Sequence, residues 1–113
     1  EASYGRWLEG HPGDGVASYR RGVALHHLGR HAAAATAIGR AVALGESAPA
    51  VHYNLACARA RAGQAEAALD ALEAALREGF TDAAALEGDP DLAPVRGRER
   101  FRKLRETLRR GGR

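Results

Sequence analysis

Shifted against itself by 34 residues, the chain matches. Tyr19 falls on Tyr53, Ala24 on Ala58, Gly29 on Gly63, Ala34 on Ala68, Ile38 on Leu72 and Ala41 on Ala75. A period of that length means one supersecondary unit laid beside a copy of itself, because a single copy cannot bury its own apolar face. Leu28-Gly29-Arg30 and Ala62-Gly63-Gln64 mark the same turn in each copy. Glycine there predicts the end of a first helix, since it tolerates the left-handed backbone that such an exit needs. Ala34 and Ala68 are expected where two helices cross too closely for a larger side chain, with Ile38 and Leu72 filling the space beside the crossing. In the second unit Leu69, Leu72 and Leu76 recur at spacings of three and four, which is one apolar stripe of a helix. Glu66, Asp70, Glu73 and Arg77 lie off that stripe and read as a solvated face.

Composition narrows the fold class. Of the 113 residues, 45% are apolar but only 5% aromatic, and much of the apolar share is alanine, the best helix former. Residues that strands favour are sparse. The expectation is a single all-α domain. No apolar run approaches the roughly 20 residues of a membrane span. The first residues, Glu1-Ala2-Ser3-Tyr4, lack a basic start and an apolar run, so no secretory signal is expected. The single cysteine, Cys57, excludes an intrachain disulfide and fits a reducing, cytoplasmic setting. Charge is unevenly spread: residues 1–95 hold eight basic against twelve acidic side chains, net −4, and residues 96–113 hold nine against two, net +7.

These repeats resemble the tetratricopeptide family, whose units are 34-residue helix-turn-helix hairpins, over roughly residues 15–79. Two positions depart from its pattern, with Arg21 and Arg59 where the other copy has Leu55 and Leu25. Either arginine can bury its stem and expose its head. Beyond the second unit, Gly79-Phe80-Thr81-Asp82 predicts a new short helix capped by Thr81 or Asp82. Asp89 reads as an N-cap with Pro90 at the first helical position. Phe101, Leu104 and Leu108 share one face of a last helix from Glu99 to Arg110. Together with Tyr53-Asn54-Leu55-Ala56-Cys57, these segments resemble the C-terminal capping module of bacterial tetratricopeptide arrays. The resemblance implies a short α-solenoid of antiparallel hairpins: an N-terminal helix and turn (1–14), a first repeat (15–48), a second (49–79) and C-terminal capping helices (80–113).

It also implies a ligand groove lined by the first helix of each hairpin. By register, its residues are Tyr19, Val23, His26 and His27 from the first repeat, and Tyr53, Asn54, Cys57 and Arg61 from the second. One recognition mode in the family grips a peptide's terminal carboxylate. Asn54 stands at one of its asparagine places, but Tyr19 and Val23 stand where a lysine and an asparagine are expected, which argues against that mode. His26, His27 and His31 raise a metal or small-ligand reading. His27 and His31 have the four-residue spacing of a helical zinc pair, but Gly29 interrupts the helix between them. Solvated or groove histidines are the plainer reading, and no metal or cofactor is expected. Cys57, mid-helix in an apolar stretch, reads as a buried small side chain rather than a reactive thiol.

The basic tail suggests an acidic partner or nucleic acid. Stacking aromatics are absent apart from Phe101, which the apolar face requires, so nucleic acid is not expected. No nucleophile motif surrounds Ser3, Ser18 or Ser47, and helix capping accounts for Asp89. The expected function is therefore non-catalytic binding of a peptide or partner domain on the concave face. Two other readings stand beside it: an accessory C-terminal segment of a larger bacterial enzyme or sensor, and self-association through the array's apolar ends.

Overall fold

The computed structural model describes residues 14–111. The N-terminal helix and turn expected over residues 1–14 lie outside them except for Asp14, as do the last two residues. Seven α-helices follow in order: α1 (Asp14–His27), α2 (His31–Ala43), α3 (Pro49–Arg61), α4 (Ala65–Arg77), α5 (Ala83–Gly88), α6 (Ala93–Arg96) and α7 (Glu99–Arg109). A single 3-10 turn, Pro90–Leu92, separates α5 from α6. No strand occurs among the described residues, and no helix there is long and apolar enough to cross a membrane. Asp14, expected in the turn before the first repeat, is instead the first residue of α1.

The 34-residue period is written into the backbone itself. Gly29 and Gly63 have φ of 81° and 82°. Arg30 donates its amide to Leu25 and Gln64 donates to Arg59, both at 2.9 Å. Each is the long hydrogen bond of a Schellman turn, which satisfies carbonyls that the helix end would leave bare. A second glycine pair obeys the same rule. Gly45 (φ 105°) and Gly79 (φ 108°) end α2 and α4, with Glu46 donating to Ala41 and Phe80 to Ala75. Short turns make α1 and α2 one antiparallel hairpin and α3 and α4 another, and α2 against α3 joins them side by side.

Small residues set the spacing inside each hairpin. Ala34, Ala41, Ala68 and Ala75 are buried, as are Ile38 and Leu72 beside them. The closest approach is at Gly22 of α1. A Cβ there would overlap the Ile38 side chain and stand 3.1 Å from its amide nitrogen and 3.2 Å from the Ala34 carbonyl oxygen. Its counterpart, Ala56, is wholly buried. Leu69 and Leu72 of the α4 stripe are buried and Leu76 is partly so. The two unusual arginines differ: Arg21 is exposed, whereas Arg59 lays its stem against α4 and donates to the Ala67 carbonyl at 3.1 Å. Burial lowers the Arg59 pKa, with Asp70 opposing.

The last three helices close the core. Asp82 caps α5 by accepting from the Ala85 amide at 3.0 Å, and Asp89 caps the 3-10 turn by accepting from the Asp91 amide at 2.9 Å. Leu86, Leu92, Val95 and Phe101 are all buried under the second hairpin. Arg96 donates to the carbonyls of Leu86 and Asp89 and lies over the Phe101 ring, tying α5, the turn and α7 together. The acidic face of α4 is no idle solvated surface. Arg100 of α7 meets Glu66, Asp70 and Glu73 at 2.6–3.2 Å, and Arg98 also meets Glu66. Exposed pairs contribute about 0–1 kcal/mol each. Burying Phe101 contributes about 1.5–3 kcal/mol, so the ring anchors α7 and the arginines orient it.

The glycines of the first hairpin give opposite predictions. Gly22→Ala lowers stability by about 1–3 kcal/mol through overpacking at Ile38, although alanine is the better helix former. Gly39, in mid-α2, would place a Cβ no nearer than 3.9 Å, against the end of Arg59. Gly39→Ala therefore raises stability by roughly 0.5–1 kcal/mol. Urea unfolding of both variants checks the pair of signs.

Candidate interaction groove

Residues on the first helix of each hairpin, α1 and α3, point to one side, and the structure brings most of the expected groove residues together there. Asn54 Nδ2 of α3 donates to the Tyr19 hydroxyl of α1 at 2.5 Å, joining the two repeats. Asn54 thus already has an intramolecular partner. Val23 is half-buried on α1 and His27 is exposed at its end.

The other half of the groove is occupied by the chain itself. The turn after α5 inserts Asp89 and Asp91 against α3 and the end of α1. The Tyr53 hydroxyl donates to Asp89 Oδ2 at 2.6 Å, and the Cys57 thiol points at the same oxygen from 3.8 Å. His26 Nε2 donates to Asp91 Oδ2 at 2.9 Å, and Arg61 Nε lies 3.7 Å from Asp91 Oδ1. Four of the eight expected groove residues are therefore engaged by two aspartates from the C-terminal turn. Leu92, in the same turn, is fully buried, so the insert is held by apolar packing as well as by charge.

Burial and charge fix the protonation of this cluster. Tyr53 is pushed above the ordinary phenol range, first by burial and then by donating to Asp89. Its ring stacks on Phe80 with centroids 4.5 Å apart and planes 8° from parallel. Cys57, only 2% exposed, is raised well above an ordinary thiol by burial and then by the Asp89 and Asp91 charges. Both groups stay protonated at neutral pH. Cys57 is thereby a buried, inert thiol, and it offers a partner no surface. Ligand atoms of Cys57, Asp89 and Asp91 do lie within 4.8 Å of one another. The Asp89 oxygens are already committed, however, one to Tyr53 and the other to the Asp91 amide.

The histidines are arranged differently from the sequence expectation. The pair that meets is His26 with His31, not His27 with His31: their Nδ1 atoms are 2.9 Å apart across the Gly29 turn. The Schellman turn at Gly29 folds the first residue of α2 back over the last turn of α1. A spacing of five across a reversal then does what four cannot do along a broken helix. The His27 ring centroid stays 6.3 Å from that of His26. Nor is His26 a solvated side chain, at 14% exposure. Burial, then His26 and Arg61, lower the His31 pKa, with Asp91 opposing.

The Asp89 insert has no local signature in the sequence beyond its cap, because its partners lie 32 and 36 residues away. It carries a prediction. In the native protein Cys57 is alkylated at least about a hundredfold more slowly than in the urea-unfolded chain, since reaction needs an exposed thiolate. Asp89→Ala narrows that ratio by uncovering the thiol, as read by mass spectrometry over a time course.

Comparison with known proteins gives a partial likeness. The chain is 39% identical over 59 residues to a chloroplastic protein of Arabidopsis thaliana, a stretch that is 52% of this chain and 18% of that protein. The chain thus spans less than a fifth of that relative's length. No protein-family model matches it, and no solved structure matches it significantly.

Proposed function

We propose that the chain is a tetratricopeptide-type interaction module that binds an extended peptide or a partner domain along the inner face of α1 and α3, without chemistry of its own. The observation that carries this reading is the 34-residue repeat, with the same long turn bond in each hairpin, Arg30 to Leu25 and Gln64 to Arg59. Two like hairpins side by side give a rigid face built on helices, where side chains are preorganised for binding. Tyr53 and Cys57 remain protonated, so neither supplies a nucleophile.

With Asp89 and Asp91 filling one end, binding is assigned to the stretch left open. A concavity of about 510 Å³ lies at the α3 end of that face, between the start of α3 and the α4–α5 connection, bordered by Pro49, Tyr53, Asn54, Phe80 and Asp82. Its wall combines a stacked aromatic pair with an amide and a carboxylate. A segment bringing one apolar side chain and backbone N–H and C=O groups satisfies that combination. Such grooves draw affinity from few residues, with aromatics prominent among them.

A second reading is favoured by the curated relative, which is far longer than the matched stretch. There the matched stretch is a small part of a longer protein, which supports reading this module as a regulatory or accessory segment of a larger bacterial enzyme or sensor. The full open reading frame distinguishes the two.

Binding is tested by selecting peptides from a displayed random library against the purified chain. The expected result is a family of related sequences whose affinity falls at least about tenfold in Asn54→Ala and in Phe80→Ala, with helicity by circular dichroism unchanged. Failure to enrich any sequence, or enriched sequences indifferent to both variants, overturns the assignment.

A further inference from the structure

Two imidazole nitrogens converge where the first hairpin turns. His26 lies in the last turn of α1, His31 opens α2, and Gly29 between them reverses the chain. The Nδ1 atoms stand 2.9 Å apart, with ring centroids separated by 4.7 Å and planes at 66°. The far nitrogen of His26, Nε2, is 2.9 Å from Asp91 Oδ2. An ionised carboxylate only accepts, so Nε2 carries the proton, and a neutral His26 then presents the Nδ1 lone pair to His31. Metal-binding histidines are held in this way, the second nitrogen donating to a carboxylate that fixes tautomer and ring.

We propose that His26 and His31 form a two-histidine site for a divalent late transition-metal ion, Cu²⁺ or Ni²⁺ ahead of Zn²⁺, with Asp91 as its orienting carboxylate. The separation matches that of two ligands at a right angle. Nitrogens bonded at about 2.0–2.1 Å lie about 2.9 Å apart when cis at a right angle, but about 3.3–3.4 Å apart at the tetrahedral angle of zinc. The right angle belongs to square-planar and octahedral ions, and nitrogen ligands bind Cu²⁺ most tightly among the divalent series. Asp91 brings a carboxylate to the pair, and the Arg61 guanidinium 3.7 Å from it partly offsets that charge. His27, exposed with its ring turned aside, is no ligand. Two protein ligands leave the other positions to water or to a donor from a bound partner.

A shared proton between the rings would give the same 2.9 Å, and metal titration separates the two. Calorimetry of the purified chain at neutral pH with copper, nickel and zinc salts is expected to show one Cu²⁺ or Ni²⁺ per chain, bound more tightly than Zn²⁺. Electron paramagnetic resonance of the copper form is expected to show two nitrogen donors. His26→Ala and His31→Ala each weaken binding at least about tenfold, and Asp91→Asn weakens it by about 10–100-fold. His27→Ala and His52→Ala leave it unchanged. Circular dichroism checks that each variant folds. Should an alanine variant unfold, His31→Gln replaces it, keeping a polar side chain at the turn, and is expected to show the same loss. No binding by the unmodified chain means that the rings share only a proton and overturns the site. Binding indifferent to His31→Ala or His31→Gln, or abolished by His27→Ala, overturns it as well.

Discussion

The structure depends first on how closely two helices of one hairpin can lie. At Gly22 the α1 backbone comes near enough to α2 that a single added carbon meets Ile38 and the Ala34 carbonyl. Ile38 branches at Cβ, so its bulk sits close to its own backbone, and only a glycine opposite leaves room. The corresponding places in the second hairpin hold Ala56 and Leu72, both buried. Leucine branches one carbon further out, and an alanine facing it is tolerated. Each copy thus trades size across the same crossing, which is why the repeat survives although the residues differ.

The second hairpin has an apolar face beyond the first that must be covered. The C-terminal segment covers it with Leu86, Leu92, Val95 and Phe101. Bringing Leu92 under α3 also brings Asp89 and Asp91 against Tyr53, Cys57 and His26. Closing the core and filling part of the groove are therefore one event. Part of the basic character of residues 96–113 serves the same closure: Arg96 holds carbonyls, Arg98 and Arg100 meet α4, and Arg109 meets Glu87. Four of the tail's nine basic side chains thus act as an internal clamp.

Local rules made much of this legible. Helix content, the two hairpins, the crossing alanines, the caps at Asp82 and Asp89 and the buried face of Phe101 and Leu108 all follow from period, capping chemistry and helical spacing. The glycines at 45 and 79 carry the same 34-residue signal as those at 29 and 63, and Gly22 aligned with Ala56 carries the small-residue signal. The candidate groove was half legible. Register placed Tyr19, Asn54, Tyr53 and His26 on one side, but nothing local says that aspartates more than 30 residues away will occupy their donors. The pairing of His26 with His31 was hidden for a related reason. Spacing rules assume a continuous helix, whereas a Schellman turn brings residues on its two sides together.

The order in which these constraints act explains what remains available for binding. Packing is decided first, because fully buried leucine and phenylalanine side chains contribute about 1.5–3 kcal/mol each. Hydrogen bonds contribute about 1 kcal/mol apiece but cost more if broken in place, so Tyr53, His26 and the buried thiol accept whatever the packed turn presents. Removing the aspartates would strip those groups of their partners. The surface open to a second molecule is accordingly the part that packing did not need. It runs from Asn54 past the Tyr53–Phe80 stack to Asp82, with the His26–His31 turn at the opposite end of the inserted loop.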